Sequence, residues 1–206
     1  MIVAIVPAAG KSQRMGRPKL LMPLGDRLVI EHVLGALAQS AVDRVVVALP
    51  PGAAGLLAVV QRFGVEVAQL DEPTADMRAT VVRAIDHAEA RWGRSRLRAL
   101  LLVLADHPTI QPEVVASLVK RFRDSRRPIC IPTYNGRRGH PVLFDWRLAA
   151  EIGGLPAGAG LNALVARRAD DVEECPQRDP SVLDDMDTPA DYDRLRGRPP
   201  SKEPSA

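Results

Sequence analysis

A three-layer α/β/α domain built on a mostly parallel sheet is what this chain predicts, and two observations carry the prediction. Short runs rich in β-branched residues and leucine recur along it: "IVAIV" from Ile2, "RVVVAL" from Arg44, "VEVAQL" from Val65, "RALLLVLAD" from Arg98 and "PICIP" from Pro128. Each is apolar on both faces instead of alternating, as in a parallel strand covered above and below. Amphipathic stretches of helical period separate these runs, and alternation of the two patterns defines a sheet with helices on both sides.

The elements follow in order. After the first strand, which closes at Pro7, "LVIEHVLGALAQS" predicts a helix from Leu28 and "GAAGLLAVVQRFG" a helix over 52–64. "ADMRATVVRAIDHAEARWG" predicts one over 75–93, and "QPEVVASLVKRFRD" one after residue 110, with Pro112 suited to its first turn. Beyond residue 133 the regularity fails. "YNGRRGHPVLF" reads as a turn and then a strand, followed by helical pieces at 145–152 and 160–168, a short "DDVEEC" strand and a last helix from "TPADYDRL". The 206 residues suit one domain. It is assigned to residues 1–195, with a disordered tail of Pro, Ser and charge over 196–206.

Composition excludes several classes. Lys and Arg number 28 against 25 acidic residues, and a net charge of +3 is too slight for a surface built to hold nucleic acid. The tail stretch "RGRPPSK" resembles an AT-hook core, but a single copy in a flexible terminus does not make a DNA partner. The opening apolar run is far shorter than the ~20 residues a bilayer requires and has no basic leader. No membrane partner is expected, and the location expected is cytoplasmic. Cys130 and Cys175 lie far apart in sequence, form no CxxC pair and read as structural.

Chemistry concentrates in three places. In an open parallel sheet the ligand sits at the carboxyl ends of the strands, and "VPAAGKSQRMGRPKLL", Val6 to Leu21, is the loop after the first one. Ala8, Ala9, Gly10 and Gly16 would let backbone N–H groups approach an anion, while Lys11, Arg14, Arg17 and Lys19 balance its charge, so a phosphate cradle is expected. The bland alternative is a Gly-rich turn with solvated cations. Neither the Walker A spacing nor G-x-G-x-x-G is met, because Ile5 stands where the first Walker glycine would be. Second, "LLLVLADHPTI" sets Asp106 at the end of an apolar run, where a carboxylate is costly without a cation. Mg²⁺, which takes few protein carboxylates plus phosphate oxygens, fits there, and the alternative is a turn or helix cap before Pro108. Third, "LDDMDTPADYDRL" offers Asp187 as a second carboxylate, or Asp187 and Thr188 as a cap for the last helix. His32, His87 and His107 show no ligand spacing and are assigned to surface or packing.

"AAGKSQRMGRPKLLMPLGDRLVIEHVL" resembles the signature loop of the MobA-like nucleotidyltransferases, and more broadly that of sugar-phosphate and methylerythritol-phosphate nucleotidylyltransferases. The resemblance implies a Rossmann-like fold of the nucleotide-diphospho-sugar transferase type. It implies that the backbone of Ala8, Ala9 and Gly10 holds the nucleotide, that Arg14 faces the triphosphate and that Lys19 neutralises the transferring phosphate, with Lys11 and Arg17 left as a solvated rim. A guanidinium suits bidentate grip and an ammonium a point charge. Similarity of "LADxP" and D-x-D-T-P elements implies Mg²⁺ held by Asp106 and by Asp187 rather than Asp185. In "ADMRATVVRAI" Thr80 would contact the base, whereas Asp76 departs from the usual glycine, and an ordinary acidic helix start is the competing reading. "RRGHPVLF" is similar to the stretch beside the second substrate and implies acceptor contacts from Arg138, Gly139 and His140, the alternative for His140 being simple exposure.

Ala-Ala-Gly, in place of Ala-Gly-Gly, resembles the molybdenum cofactor cytidylyltransferase (MocA-like) branch, whose extra methyl leaves less room for a purine. The chain also reads "LPAGAGLNALVAR" where members commonly carry Gly-Asp-x-Gly-Ala-Arg. The function implied is Mg²⁺-dependent transfer of CMP from CTP to a phosphate-bearing acceptor, molybdopterin or its molybdenum form, with release of pyrophosphate. Two alternatives stand beside it: nucleotidyl transfer to a sugar or alcohol phosphate, and non-catalytic delivery of finished cofactor to a molybdenum hydroxylase. Retention of Arg14, Lys19 and Asp106 favours catalysis over delivery.

Overall fold

The structure is a computed structural model and describes residues 1–10 and 15–197. In chain order these form β1 (Ile2–Pro7), a small hairpin of β2 (Pro23–Leu24) and β3 (Arg27–Leu28), α1 (Val29–Ala38), β4 (Arg44–Leu49), α2 (Ala54–Val60) and β5 (Glu66–Gln69). Then come α3 (Met77–Trp92), β6 (Ala99–Leu102), α4 (Pro112–Ser125), β7 (Ile129–Tyr134), β8 (Arg137–Arg138) and β9 (Val142–Asp145). The chain closes with α5 (Ala149–Gly153), α6 (Leu161–Arg167), β10 (Val172–Pro176) and α7 (Pro189–Arg196). Arg196 thus closes a helix instead of opening the tail, and residues 198–206 of that expected tail, including most of "RGRPPSK", lie outside the described residues. Among the described residues no helix is long and apolar enough to cross a membrane.

The main sheet runs β10-β7-β9-β6-β1-β4-β5, with β8 added to β7. β1 lies in the middle, parallel to β4 on one side and β6 on the other. Its alternating residues enter both cores: Ile2, Ala4 and Val6 meet the layer of α1, α2, α4 and α7, while Val3 and Ile5 meet α3, α5 and α6. The doubly covered strands read from the sequence are therefore real, and so is the three-layer architecture.

One expectation needs correction. "PICIP" reads as one more parallel strand, yet β9 runs antiparallel between β6 and β7, so the sheet is mixed. β7 is parallel only to β10. The reason is local: Asn135 at φ 48° and Gly136 at φ 73° fold the chain back directly after β7, as an Asn-Gly turn favours. Cys130 and Cys175, remote in sequence, come to lie on the neighbouring strands β7 and β10 as buried free thiols.

Sheet order also locates the ligand end. From β1 the chain winds out through β4 and β5, then returns to lay β6 on the opposite side of β1. That reversal opens a crevice beyond the carboxyl ends of β1 and β6. The return segment after β8 is held tightly, since Gly139 N–H donates to Pro132 O at 2.9 Å and His140 N–H to Val182 O at 2.8 Å. A Cβ on Gly139 would stand 2.1 Å from that same Val182 carbonyl oxygen. Because the obstacle is backbone, Gly139→Ala is expected to destabilise the fold by about 1–3 kcal/mol. Urea unfolding should show a lower midpoint at an unchanged slope.

Candidate active site

At the crevice, three pieces of chain meet on one nitrogen. Lys19 opens a short 3-10 turn, Lys19–Leu21, which follows a left-handed Gly16 at φ 65°. Its ammonium donates to the Asp106 carboxylate, to Asp187 Oδ1 at 3.0 Å and to the Met186 carbonyl at 3.2 Å. The three side chains are 15%, 19% and 29% exposed, so their pairing is worth more than the ~1 kcal/mol of a surface ion pair and less than the ~3–5 kcal/mol lost on breaking a fully buried one. Burial by itself would lower the Lys19 pKa, but the Asp106 and Asp187 carboxylates outweigh it and hold the ammonium above its ordinary value. Lys19 is therefore charged throughout the neutral range.

Each partner is positioned by the fold. Asp106 follows β6, whose pairing with β1 continues through Val103 N–H to Ile5 O at 3.0 Å. Asp187 arrives on the segment leading to α7, which is fastened at several points. Met186 N–H donates to Asp106 O at 3.1 Å, the Tyr192 hydroxyl to Pro23 O at 2.6 Å, and Arg194 Nη1 to Asp184 Oδ1 at 2.8 Å. Capping of α7 falls to Thr188, which exchanges hydrogen bonds with Asp191, so Asp187 keeps its carboxylate on Lys19. Asp106 lies in a turn before Pro108, as its alternative reading has it, but caps no helix, since α4 starts at Pro112.

The crevice encloses about 830 Å³ and is lined by the small residues Ala8, Ala9 and Gly10, by the ionic Lys19, Asp106, Asp185 and Asp187, and by residues between Pro73 and Thr80. A Cβ on Gly10 would meet no described atom within 4 Å. Thr80, 3% exposed, shares a hydrogen bond of 2.6 Å with the Thr74 hydroxyl. Asp76 caps α3 by accepting from Ala79 N–H at 2.7 Å, which is the ordinary acidic helix start. Met77, at the rim, is 42% exposed.

Not every expected contact lies here. Lys11 and Arg14 fall outside the described residues. Arg17 is exposed, as expected of a solvated rim, with its guanidinium 5.8 Å from the centre of the Tyr192 ring. Arg138, Gly139 and His140 do not line the crevice; Arg138 Nε donates to Glu174 Oε1 at 2.9 Å. The His140 ring meets His107 edge-on at 6.2 Å, and both Nδ1 atoms are buried with no described partner. His107 is a packing residue and His140 is more than a surface histidine.

Thr74 and Met77 are among the lining residues that the sequence does not single out, and Asp185 lines the crevice although the sequence favours Asp187 over it. Asp185 had a signal, because residues two apart in extended backbone face the same side, and D-x-D sends both carboxylates into the crevice. Burial first, and then the Asp187 charge, hold the Asp185 carboxyl above the usual carboxylate range. Among the described residues no three acidic, His or Cys side chains gather closely enough to hold a metal ion unaided.

A crevice at a strand-order reversal, with a loop of small residues facing paired carboxylates and a lysine, defines an α/β domain of the nucleotidyltransferase class. The chain belongs to the family described as the MobA-like NTP transferase domain, whose profile matches residues 4–172. It is similar to a probable molybdenum cofactor guanylyltransferase of Pyrococcus horikoshii, 28% identical, covering 68% of this chain and 67% of that protein. It is also similar to the 2-C-methyl-D-erythritol 4-phosphate cytidylyltransferase of Ralstonia nicotianae, 35% identical over 56% of this chain and 48% of that one. The chain spans 26% to 67% of the length of the first curated relatives it matches. Among solved structures, Rv0371c of Mycobacterium tuberculosis H37Rv in complex with manganese superposes with a TM-score of 0.75 at 27% identity, covering 94% of this chain and 97% of that one.

The buried histidine pair generates a pH dependence. Burial, and then the neighbouring His107, lower the His140 pKa to about 4. Unfolded, the same imidazole takes up its proton near pH ~6.5, so stability present above that pH is lost as pH falls towards 4. Thermal melts between pH 7 and pH 4 should show Tm falling, with a shallower fall in His140→Phe; equal slopes would remove His140 as the cause.

Proposed function

We propose that this protein transfers a cytidylyl group from CTP to a phosphate monoester, molybdopterin or its molybdenum form, and releases pyrophosphate. The observation that carries the reading is the Lys19–Asp106–Asp187 contact at the mouth of a small-residue loop. An acceptor phosphate oxygen attacks the α-phosphorus in line, the new P–O bond forms, and the bond to pyrophosphate breaks with its electron pair leaving on pyrophosphate. An acceptor already ionised needs no general base. What the chain must do is align two polyanions and neutralise the charge that builds between them. Lys19 is assigned to the transferring phosphate, Arg14 to the triphosphate, and the backbone of Ala8, Ala9 and Gly10 to the nucleotide. Thr80 is assigned to the base.

The donor set fits a divalent cation, since the Asp106 and Asp187 carboxylates already converge on the Lys19 ammonium in the folded chain. Asp106 and Asp187 would hold Mg²⁺, with phosphate oxygens and water completing its shell. When bound, the ion supplies charge neutralisation and polarisation of phosphoryl oxygens. The manganese complex of the Mycobacterium tuberculosis protein supports a divalent ion in this fold. CTP is favoured because the Ala8 and Ala9 methyls both border the crevice and narrow it. The acceptor is assigned to Arg138, Gly139 and His140, which lie outside the described crevice, with the Arg138 guanidinium paired to Glu174. A sugar or alcohol phosphate is the second reading, favoured by the similarity to the methylerythritol-phosphate enzyme.

Pyrophosphate release from CTP, GTP, ATP and UTP, each with molybdopterin and with sugar and alcohol phosphates, tests these readings together. CTP with molybdopterin should be the productive pair, and no release with any pair would leave only delivery without catalysis. Lys19→Met and Asp106→Asn should each lower kcat/KM by about 10²–10³-fold. Ala9→Gly should raise turnover of GTP relative to CTP, whereas an unchanged ratio would detach base choice from this loop.

A further inference from the structure

Lys19 stands where a cation would be expected, and that position has a consequence for the order of loading. We propose that Lys19 is an internal placeholder for the divalent ion: its ammonium closes the carboxylate pair in the free protein, and only an incoming triphosphate draws it away. The inference rests on the nucleotidyl-transfer reading and extends it to the sequence of binding events.

Two observations carry it. One nitrogen contacts both Asp106 and Asp187 and also the Met186 carbonyl, so the ammonium already uses the oxygens that a metal would need. And no described group of three acidic, His or Cys side chains stands ready to complete a coordination shell. A small divalent ion that gives up water reluctantly would thus have to displace a tethered cation to reach the Asp106 and Asp187 carboxylates. A triphosphate reverses both conditions. It offers the ammonium a more highly charged partner next to the Ala8–Gly10 loop, within the compass of a flexible four-carbon stem, and it contributes oxygens to the vacated carboxylates. Metal and nucleotide then favour each other's binding, and that coupling is reciprocal. Free metal is kept out of the catalytic centre until there is a substrate for it.

The test measures Mn²⁺ uptake by electron paramagnetic resonance, without acceptor and therefore without turnover. With Mn²⁺ alone, Lys19→Met and the more conservative Lys19→Gln should bind at least tenfold more tightly than wild type. The gain should vanish in Lys19→Met/Asp106→Asn, and Lys19→Arg, which keeps a cation, should stay as weak as wild type. Thermal melts confirm that each variant is folded, and either uncharged variant suffices. With CTP present, wild type should bind Mn²⁺ in a manner that Asp106→Asn abolishes. If the uncharged variants bind Mn²⁺ no better than wild type while the CTP-dependent uptake still needs Asp106, the placeholder is overturned and nucleotidyl transfer stands. If no protein takes up Mn²⁺ through Asp106 with or without CTP, the transfer reading fails and takes the placeholder with it.

Discussion

A single ammonium, that of Lys19, joins the loop after the first strand to carboxylates 87 and 168 residues further along the chain. Without a cation there, Asp106 and Asp187 would face each other across a half-buried cleft, a repulsion strengthened by the low local dielectric. With it, the end of β6 and the approach to α7 are drawn against the β1 loop. The arrangement of the rest follows from that constraint: Thr188 is left to cap the last helix, Tyr192 anchors it to Pro23, and Arg194 secures Asp184.

The supporting sheet explains why this contact lies where it does. β1 is buried on both faces, and the reversal of strand order beside it opens a crevice beyond its carboxyl end. Small residues at 8 to 10 keep backbone accessible there, and the lining also includes two threonine hydroxyls and an exposed methionine. Lys19, Asp106, Asp185 and Asp187 supply the charge of the crevice, and most of the other lining residues are neutral.

Much of this was legible before any coordinates. Strands apolar on both faces declared themselves by composition, and Asp106 by standing at the end of one. Asp187 and Lys19 are legible as types in a familiar pattern, but their mutual contact is not, because nothing in a sequence separation of 168 records the distance across the fold. The antiparallel β9 was hidden for a different reason: a two-residue turn at Asn135–Gly136 decides strand direction, and hydrophobic pattern does not. Asp185 was passed over in favour of Asp187 although both face the crevice, and the His107–His140 contact depends on a chain reversal that periodicity cannot report.

The central claim is that the position held by the Lys19 ammonium becomes the cation's position once nucleotide is bound. A crystal grown with CTP and Mn²⁺, with data collected at the manganese absorption edge, addresses it directly. The account predicts an anomalous peak between the Asp106 and Asp187 carboxylates, with Lys19 turned to the phosphates beside Ala8–Gly10. Manganese located elsewhere, or Lys19 still bridging the two aspartates beneath bound CTP, would contradict it.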